Sequence, residues 1–158
     1  MTGTVTHIFV AAQAGSCMEP RDQVHARAKV GIDGDRYAKG LGTYSTWPGS
    51  GRALTLVACE ALEAMAHEHG IELAPNETRR NLLTRGIDLD LLIGMRFRIG
   101  DVVLLGQRRA DPCAYLERIT RAGVLKAMAN RGGLRADIET GGSISVGDEI
   151  VVLGPFAA

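Results

Sequence analysis

Apolar and polar residues alternate with a period of two over much of this chain, and helical spacing takes over only briefly. Val5 to Ala11 is an apolar stretch of strand length, and from Gln23 to Val30 the apolar Val24, Ala26, Ala28 and Val30 interleave with His25, Arg27 and Lys29. The second pattern predicts a strand with one wet face. Ala53 to Val57 predicts another strand, leading into a helix over Cys59 to His69 that Gly70 ends in the left-handed conformation. Cys59, Leu62, Met65, Ala66 and His69 share one face of that helix, which makes Cys59 a core residue.

A weak internal repeat adds the architecture. Phe97-Arg98-Ile99-Gly100-Asp101-Val102-Val103-Leu104 recurs 47 positions later as Ile144-Ser145-Val146-Gly147-Asp148-Glu149-Ile150-Val151. Each copy predicts a β-hairpin, with glycine supplying the positive φ that a two-residue turn needs. Two hairpins, the N-terminal strands and Leu134 to Glu139 together predict a mainly β fold with interposed short helices, a closed or nearly closed antiparallel barrel. The strand-helix alternation of a doubly wound sheet is missing. Between Gly31 and Gly51 lies a glycine-rich stretch with Gly34-Asp35-Arg36-Tyr37, Gly40-Leu41-Gly42 and Trp47-Pro48-Gly49, longer than a simple turn requires and of the length that loops with a function have.

Composition narrows the function classes. With 158 residues, 46% of them apolar, the expectation is one domain over residues 1–158. A formal net charge of zero excludes the electrostatic footprint of a protein that coats nucleic acid, so an anionic ligand must be met by local arginines. No apolar run reaches the length of a bilayer span, and the N-terminus lacks a basic segment followed by a hydrophobic one, which predicts a soluble cytoplasmic protein with no membrane partner. Cys17, Cys59 and Cys113 are odd in number and widely spaced, as suits a reducing compartment better than a disulfide framework. Dinucleotide and phosphate-loop signatures are missing, Asp33-Gly34-Asp35 lacks the later ligands of a calcium loop, and His67 and His69 diverge on their helix. His7 and His25 lie on strands, where a solvated or core role is expected.

Chemistry concentrates at Cys113. In Asp111-Pro112-Cys113, Asp111 reads as a helix N-cap, Pro112 as the first helical residue and Cys113 as the next, with the helix continuing to Ile119. Unpaired backbone N–H groups there favour thiolate, the form that acts as nucleophile and metal ligand. The alternative is a small apolar residue filling the first turn. Arg79-Arg80-Asn81 follows a short helix begun by Pro75, and Arg131-Gly132-Gly133 lies in a turn. Arginine forks suit phosphate and neighbouring glycines admit an anion to backbone N–H groups, so both segments are candidates to bind a small anionic ligand. A shared ligand would place Arg80 and Arg131 around one cavity with Cys113, and Arg79 toward solvent or an acidic partner. Alternatively these arginines pair with Asp88, Asp90 or Glu117.

The ordered series Gly31-Ile32-Asp33-Gly34-Asp35-Arg36-Tyr37, Arg79-Arg80-Asn81-Leu82, Gly86-Ile87-Asp88-Leu89, Gly94, Phe97, Gly100-Asp101, Pro112-Cys113, Arg131-Gly132-Gly133-Leu134 and Gly147-Asp148 resembles the MOSC domain, named after the C-terminal part of molybdenum cofactor sulfurase. The resemblance runs over roughly residues 3–153. It implies a β-barrel and one functional cysteine, at Cys113, which carries sulfur as a persulfide or ligates molybdenum of a bound molybdopterin cofactor. Arg79, Arg80, Asn81, Arg131, Gly132 and Gly133 become candidate contacts to the cofactor, and Asp35 and Arg36 candidates that shape its pocket. The sulfur-generating pyridoxal-phosphate domain of the sulfurases and the N-terminal barrel of the amidoxime reductases are missing from the sequence, so a sulfur or electron donor in trans is expected. Tyr37 stands where many relatives have histidine. The resemblance implies a sulfur-carrier or molybdenum-cofactor-binding protein, with a molybdenum-dependent reductase of N-hydroxylated compounds and a non-catalytic delivery module as alternatives.

Overall fold

A computed structural model describes residues 2–40 and 50–156. The expected turn at Trp47-Pro48-Gly49 and most of Gly40-Leu41-Gly42 lie outside the described residues. Among the described residues there are eleven strands: β1 (Thr2–Val10), β2 (Glu19–Arg21), β3 (Gln23–Arg27), β4 (Gly31–Ile32), β5 (Leu54–Ala58), β6 (Leu82–Arg85), β7 (Met95–Ile99), β8 (Val102–Arg109), β9 (Leu134–Thr140), β10 (Gly142–Ser145) and β11 (Glu149–Pro155). The α-helices are α1 (Cys59–His69), α2 (Ala114–Ile119) and α3 (Val124–Ala127), and single 3₁₀ turns occupy Pro75–Thr78 and Leu89–Leu92. Among the described residues no helix is long and apolar enough to cross a membrane.

Strands β11-β7-β8-β9-β5-β6-β1 lie side by side, and β1 pairs back with β11 through Thr2↔Val151 and Gly3↔Ile150, closing a seven-stranded barrel. Closure leaves no open edge among these strands. The barrel is not wholly antiparallel, because β5 and β6 run parallel, Leu56 beside Leu82 and Val57 beside Leu83. A parallel pair cannot be joined by a tight turn, and α1 with the Pro75–Thr78 turn makes the long crossover it requires. Strand β5 is consequently buried on both faces: Leu54 and Leu56 fill the barrel with Phe97, Leu104, Leu134 and Ile138, while Val57 meets Met65 of α1 in a second cluster outside it. That position explains an unbroken apolar run in place of alternation.

Only one of the two expected hairpins is a hairpin. Gly100, at φ 58°, and Asp101 join β7 to β8 with Ile99 opposite Val102. Strand β10 instead pairs with β3 in a small three-stranded sheet, and β11 leaves it to join the barrel. The Gly147-Asp148 turn between them is a corner, pinned to β1 where Val5 N–H donates to the Asp148 carbonyl at 3.0 Å and Gly147 N–H to the Val5 carbonyl at 2.8 Å. Local sequence is alike in the two copies, and the partner strand decides which becomes a hairpin. The strand expected to reach Val30 ends at Arg27, since Lys29, at φ 63°, turns the chain back so that Ile32 pairs with Ala26. On α1, Cys59 and Met65 are buried as expected, whereas His69 is exposed.

Candidate functional site

Cys113 stands at the end of an extended segment leaving β8, just before α2. The cap of that helix is Cys113 itself (φ −134°, ψ 166°), two residues later than the Asp111 expected from the sequence, and its thiol makes no capping hydrogen bond. Pro112 therefore precedes the helix. Beside the half-buried Cys113 a small cavity of about 60 Å³ is lined by Arg36, Arg79, Arg80 and Arg135, by Tyr37 and Tyr115, by Thr55 and Leu116, and by Asp111. Four guanidinium groups thus stand beside the sulfur, and α2 is too short for its N-terminus to act as an anion site on its own.

Each arginine is fixed differently. Arg80 is buried, 7% exposed, and donates from Nε to the Gly132 carbonyl at 2.9 Å and from Nη2 to the Ala110 carbonyl at 2.8 Å. Burial, followed by the neighbouring Arg135 charge, lowers its pKa to about 10, and the nearby Cys113 acts in the opposite sense. Arg36 pairs through Nη1 with Asp35 Oδ1 at 3.1 Å, donates from Nη2 to the Arg79 carbonyl at 3.3 Å, and lies over the Tyr37 ring at 4.9 Å. Arg79 takes the left-handed conformation (φ 60°) that ends the Pro75–Thr78 turn, and donates to the Ser16 carbonyl. Burial, then the Arg36 charge, pull its pKa below the usual value. It lines the cavity, contrary to the expectation that it would face solvent. Arg135 stands on β9 directly across from Thr55 on β5.

Asp35 and Asn81 form the frame behind these cations. Asp35 is fully buried, and its Oδ1 accepts from Ala11 N–H at 3.1 Å and Asn81 Nδ2 at 3.2 Å as well as from Arg36, while Oδ2 accepts from Tyr37 N–H at 3.3 Å. Asn81 Oδ1 accepts from Thr55 N–H at 3.1 Å, and Nδ2 also donates to the Phe9 carbonyl at 3.2 Å. With both ends of its amide engaged, Asn81 ties β5 and β1 together at the cavity wall. Gly132 and Gly133 serve close backbone approach: a Cβ on Gly132 would stand 2.2 Å from the Ala110 carbonyl oxygen, and one on Gly133, at φ 107°, 1.8 Å from that of Leu56.

Arg131 is elsewhere. It pairs with Glu68 of α1 at 2.8 Å and lines a separate groove of about 450 Å³, with Glu60, Ile87, Leu89 and Gly133. The expected convergence of Arg80 and Arg131 on one cavity is not what the fold produces: Arg80 is held by the Gly132 and Ala110 carbonyls beside Cys113, while Arg131 is drawn to Glu68 of α1 in the other groove. Of the alternative acidic partners, Asp90 takes Arg109, at 3.0 Å. The groove is the larger of the two spaces, yet the smaller one holds the thiol and the cations. Sequence reading had missed Arg135, Thr55 and Tyr115. Alternation in β9 carries the signal for Arg135, since Leu134, Ala136 and Ile138 point inward and leave Arg135 on the outer face.

A MOSC domain match spans residues 42–151. Among solved structures, the YuaD protein from Bacillus subtilis superposes with a TM-score of 0.82 at 20% identity, covering 99% of this chain and 98% of that one. YiiM from Escherichia coli gives 0.66 at 19%, covering 100% and 72%. YiiM from Geobacillus stearothermophilus gives 0.72 at 15%, covering 96% and 75%. At such identities the likeness is one of fold. No curated protein matches the sequence.

Proposed function

Because the chain belongs to the MOSC domain family, whose members are associated with the molybdenum cofactor, we propose that it is a sulfur-carrying or molybdopterin-binding protein with Cys113 as its working atom. The observation that carries this reading is the convergence of four arginines on one half-buried thiol. The donor types, though not the cavity of about 60 Å³, match such a cofactor. Guanidinium forks suit its phosphate, and a thiolate is a soft ligand. Among the described residues no cluster of three or more His, Cys, Asp and Glu side chains could hold a metal ion, so a metal at Cys113 would bring its other ligands with it. The cofactor, when bound, would supply the redox chemistry of molybdenum or receive sulfur at it.

The chain's own residues have separable tasks. Arg36 and Arg79, at the cavity wall, hold an anion, and Arg135 adds a charge across from Thr55. Arg80 fixes the backbone leading to Cys113 and contributes charge with no carboxylate among its hydrogen-bond partners. The two tyrosines and Leu116 narrow the space around the sulfur and restrict water. A sulfur or electron donor acts in trans, and a small cavity favours transfer of one atom over conversion of a large substrate.

Purification from the native host, with metal analysis and cyanolysis of sulfane sulfur, tests the reading. Metal-free protein with about one cyanolysable sulfur supports the carrier, and stoichiometric molybdenum supports the permanent ligand. Cys113→Ser should abolish either load and cost about 1 kcal/mol or less, since Cys113 is half-buried against the edge of the outer apolar cluster. Unfolding of this variant, or loading that survives it, would overturn the assignment of Cys113.

A further inference from the structure

The space beside Cys113 is small and cationic, and both properties bear on what can react there. A water-sized occupant needs about 10–15 Å³ of such space, so a cavity of about 60 Å³ holds about four to six non-hydrogen atoms. Four guanidinium groups line it, and Asp111 is the one carboxylate among the lining residues. Arg80 stands close enough to Cys113 for their charges to interact, with only backbone carbonyls among its hydrogen-bond partners. Arg79 gives one donor to the Ser16 carbonyl, and the rest of its guanidinium meets no acceptor among the described residues. Forks of this kind suit an oxyanion, and a tetrahedral oxyanion is of the size that the cavity takes.

A thiol and an oxyanion site in one wall match a molecule that joins an oxyanion to a transferable sulfur. Thiosulfate, two sulfurs and three oxygens, is such a molecule. We propose that Cys113 takes its sulfur from thiosulfate, an inference that rests on the carrier reading above and names the small-molecule substrate of that site. Arg79 holds the sulfonate oxygens, and the sulfane sulfur at the other end meets Cys113. The Cys113 thiolate attacks that sulfur. A new S–S bond forms as the bond to the sulfonate sulfur breaks, its electron pair leaves with sulfite, and a Cys113 persulfide anion remains. Three negative charges enter the step and three leave it, so the guanidinium groups meet the same total charge throughout. Sulfane sulfur passes from one sulfur partner to another with no oxidant or reductant, whereas hydrogen sulfide would need an oxidant to give the same persulfide.

The test uses the full, reduced chain without oxygen and two donors in parallel, thiosulfate and inorganic polysulfide, which carries sulfane sulfur and no sulfonate. Mass spectrometry locates the added sulfur, and released sulfite is measured directly. Thiosulfate should load Cys113 with release of sulfite in equal amount, and added sulfite, but not sulfate, should discharge the persulfide again. Sulfate should slow the loading by competing for the oxyanion site. Arg79→Met should slow loading from thiosulfate by about tenfold or more, the loss of a hydrogen bond to a charged group, and loading from polysulfide by much less. Equal slowing with the two donors would remove the sulfonate contact and overturn the choice of thiosulfate. Loading by polysulfide with no sulfite released from thiosulfate would overturn the thiosulfate step and leave the carrier reading standing. Failure of both donors to load Cys113 would overturn both.

Discussion

Arg80 shows how one side chain joins frame and function. Its guanidinium is buried and held by backbone carbonyls of Gly132, Ala110 and Thr78, with no carboxylate among its hydrogen-bond partners. Such a cation is costly to bury unless its donors are satisfied or an anion comes to it. Arg80→Met should destabilise the fold by about 1–3 kcal/mol, because it leaves buried carbonyls without donors, and it should also weaken anion binding. Arg131→Met should leave anion binding at Cys113 unchanged, since Arg131 pairs with Glu68 in another groove. Denaturant titration together with phosphate binding separates the two. Weakened binding in Arg131→Met would contradict the site as drawn.

At the scale of elements, the cavity depends on how closely the end of β8, the start of β9 and β5 approach. Gly132 and Gly133 permit that approach, with Ala110 N–H donating to the Gly133 carbonyl at 2.9 Å and the Leu56 carbonyl lying where a Gly133 side chain would be. The same turn presents the Gly132 carbonyl to Arg80. Gly133→Ala should therefore cost about 2 kcal/mol or more, since it adds left-handed strain to a direct clash with backbone. It should also move the segment that carries Cys113. A thermal melt measures the first effect and the alkylation rate of Cys113 the second. An alanine variant as stable as the parent would show that the backbone can part here without cost.

At the scale of the whole molecule, zero net charge coexists with one local concentration of positive charge. Long-range steering of anions is weak in such a protein, and binding depends on short-range contacts within the cavity. Inorganic phosphate should accordingly protect Cys113 from iodoacetamide and raise the melting temperature in a saturable way. The stabilisation should approach about 2.7 kcal/mol at a hundredfold excess over its dissociation constant. Chloride at equal ionic strength should do neither. Equal protection by both salts would reduce the effect to screening and remove the anion site.

Strand alternation, the helix over Cys59–His69, the left-handed Gly70 and the Gly100-Asp101 hairpin were legible in the sequence, because each depends on side-chain period or on a φ that few residues adopt. The barrel followed from counting such strands. The sequence did not contain the parallel pairing of β5 with β6, the conversion of the second Gly-Asp repeat into a corner, or the separation of Arg131 from Arg80. Nor could it place Arg135 and Thr55 beside the cavity. Those outcomes are set by partners distant along the chain, and spacing records only what neighbouring residues do to one another. Once the barrel closes, β5 brings Thr55 against Arg135 and the segment after β1 offers the Ser16 carbonyl to Arg79. The place of Cys113 between β8 and α2 is local, and the arginines around it are a consequence of closure.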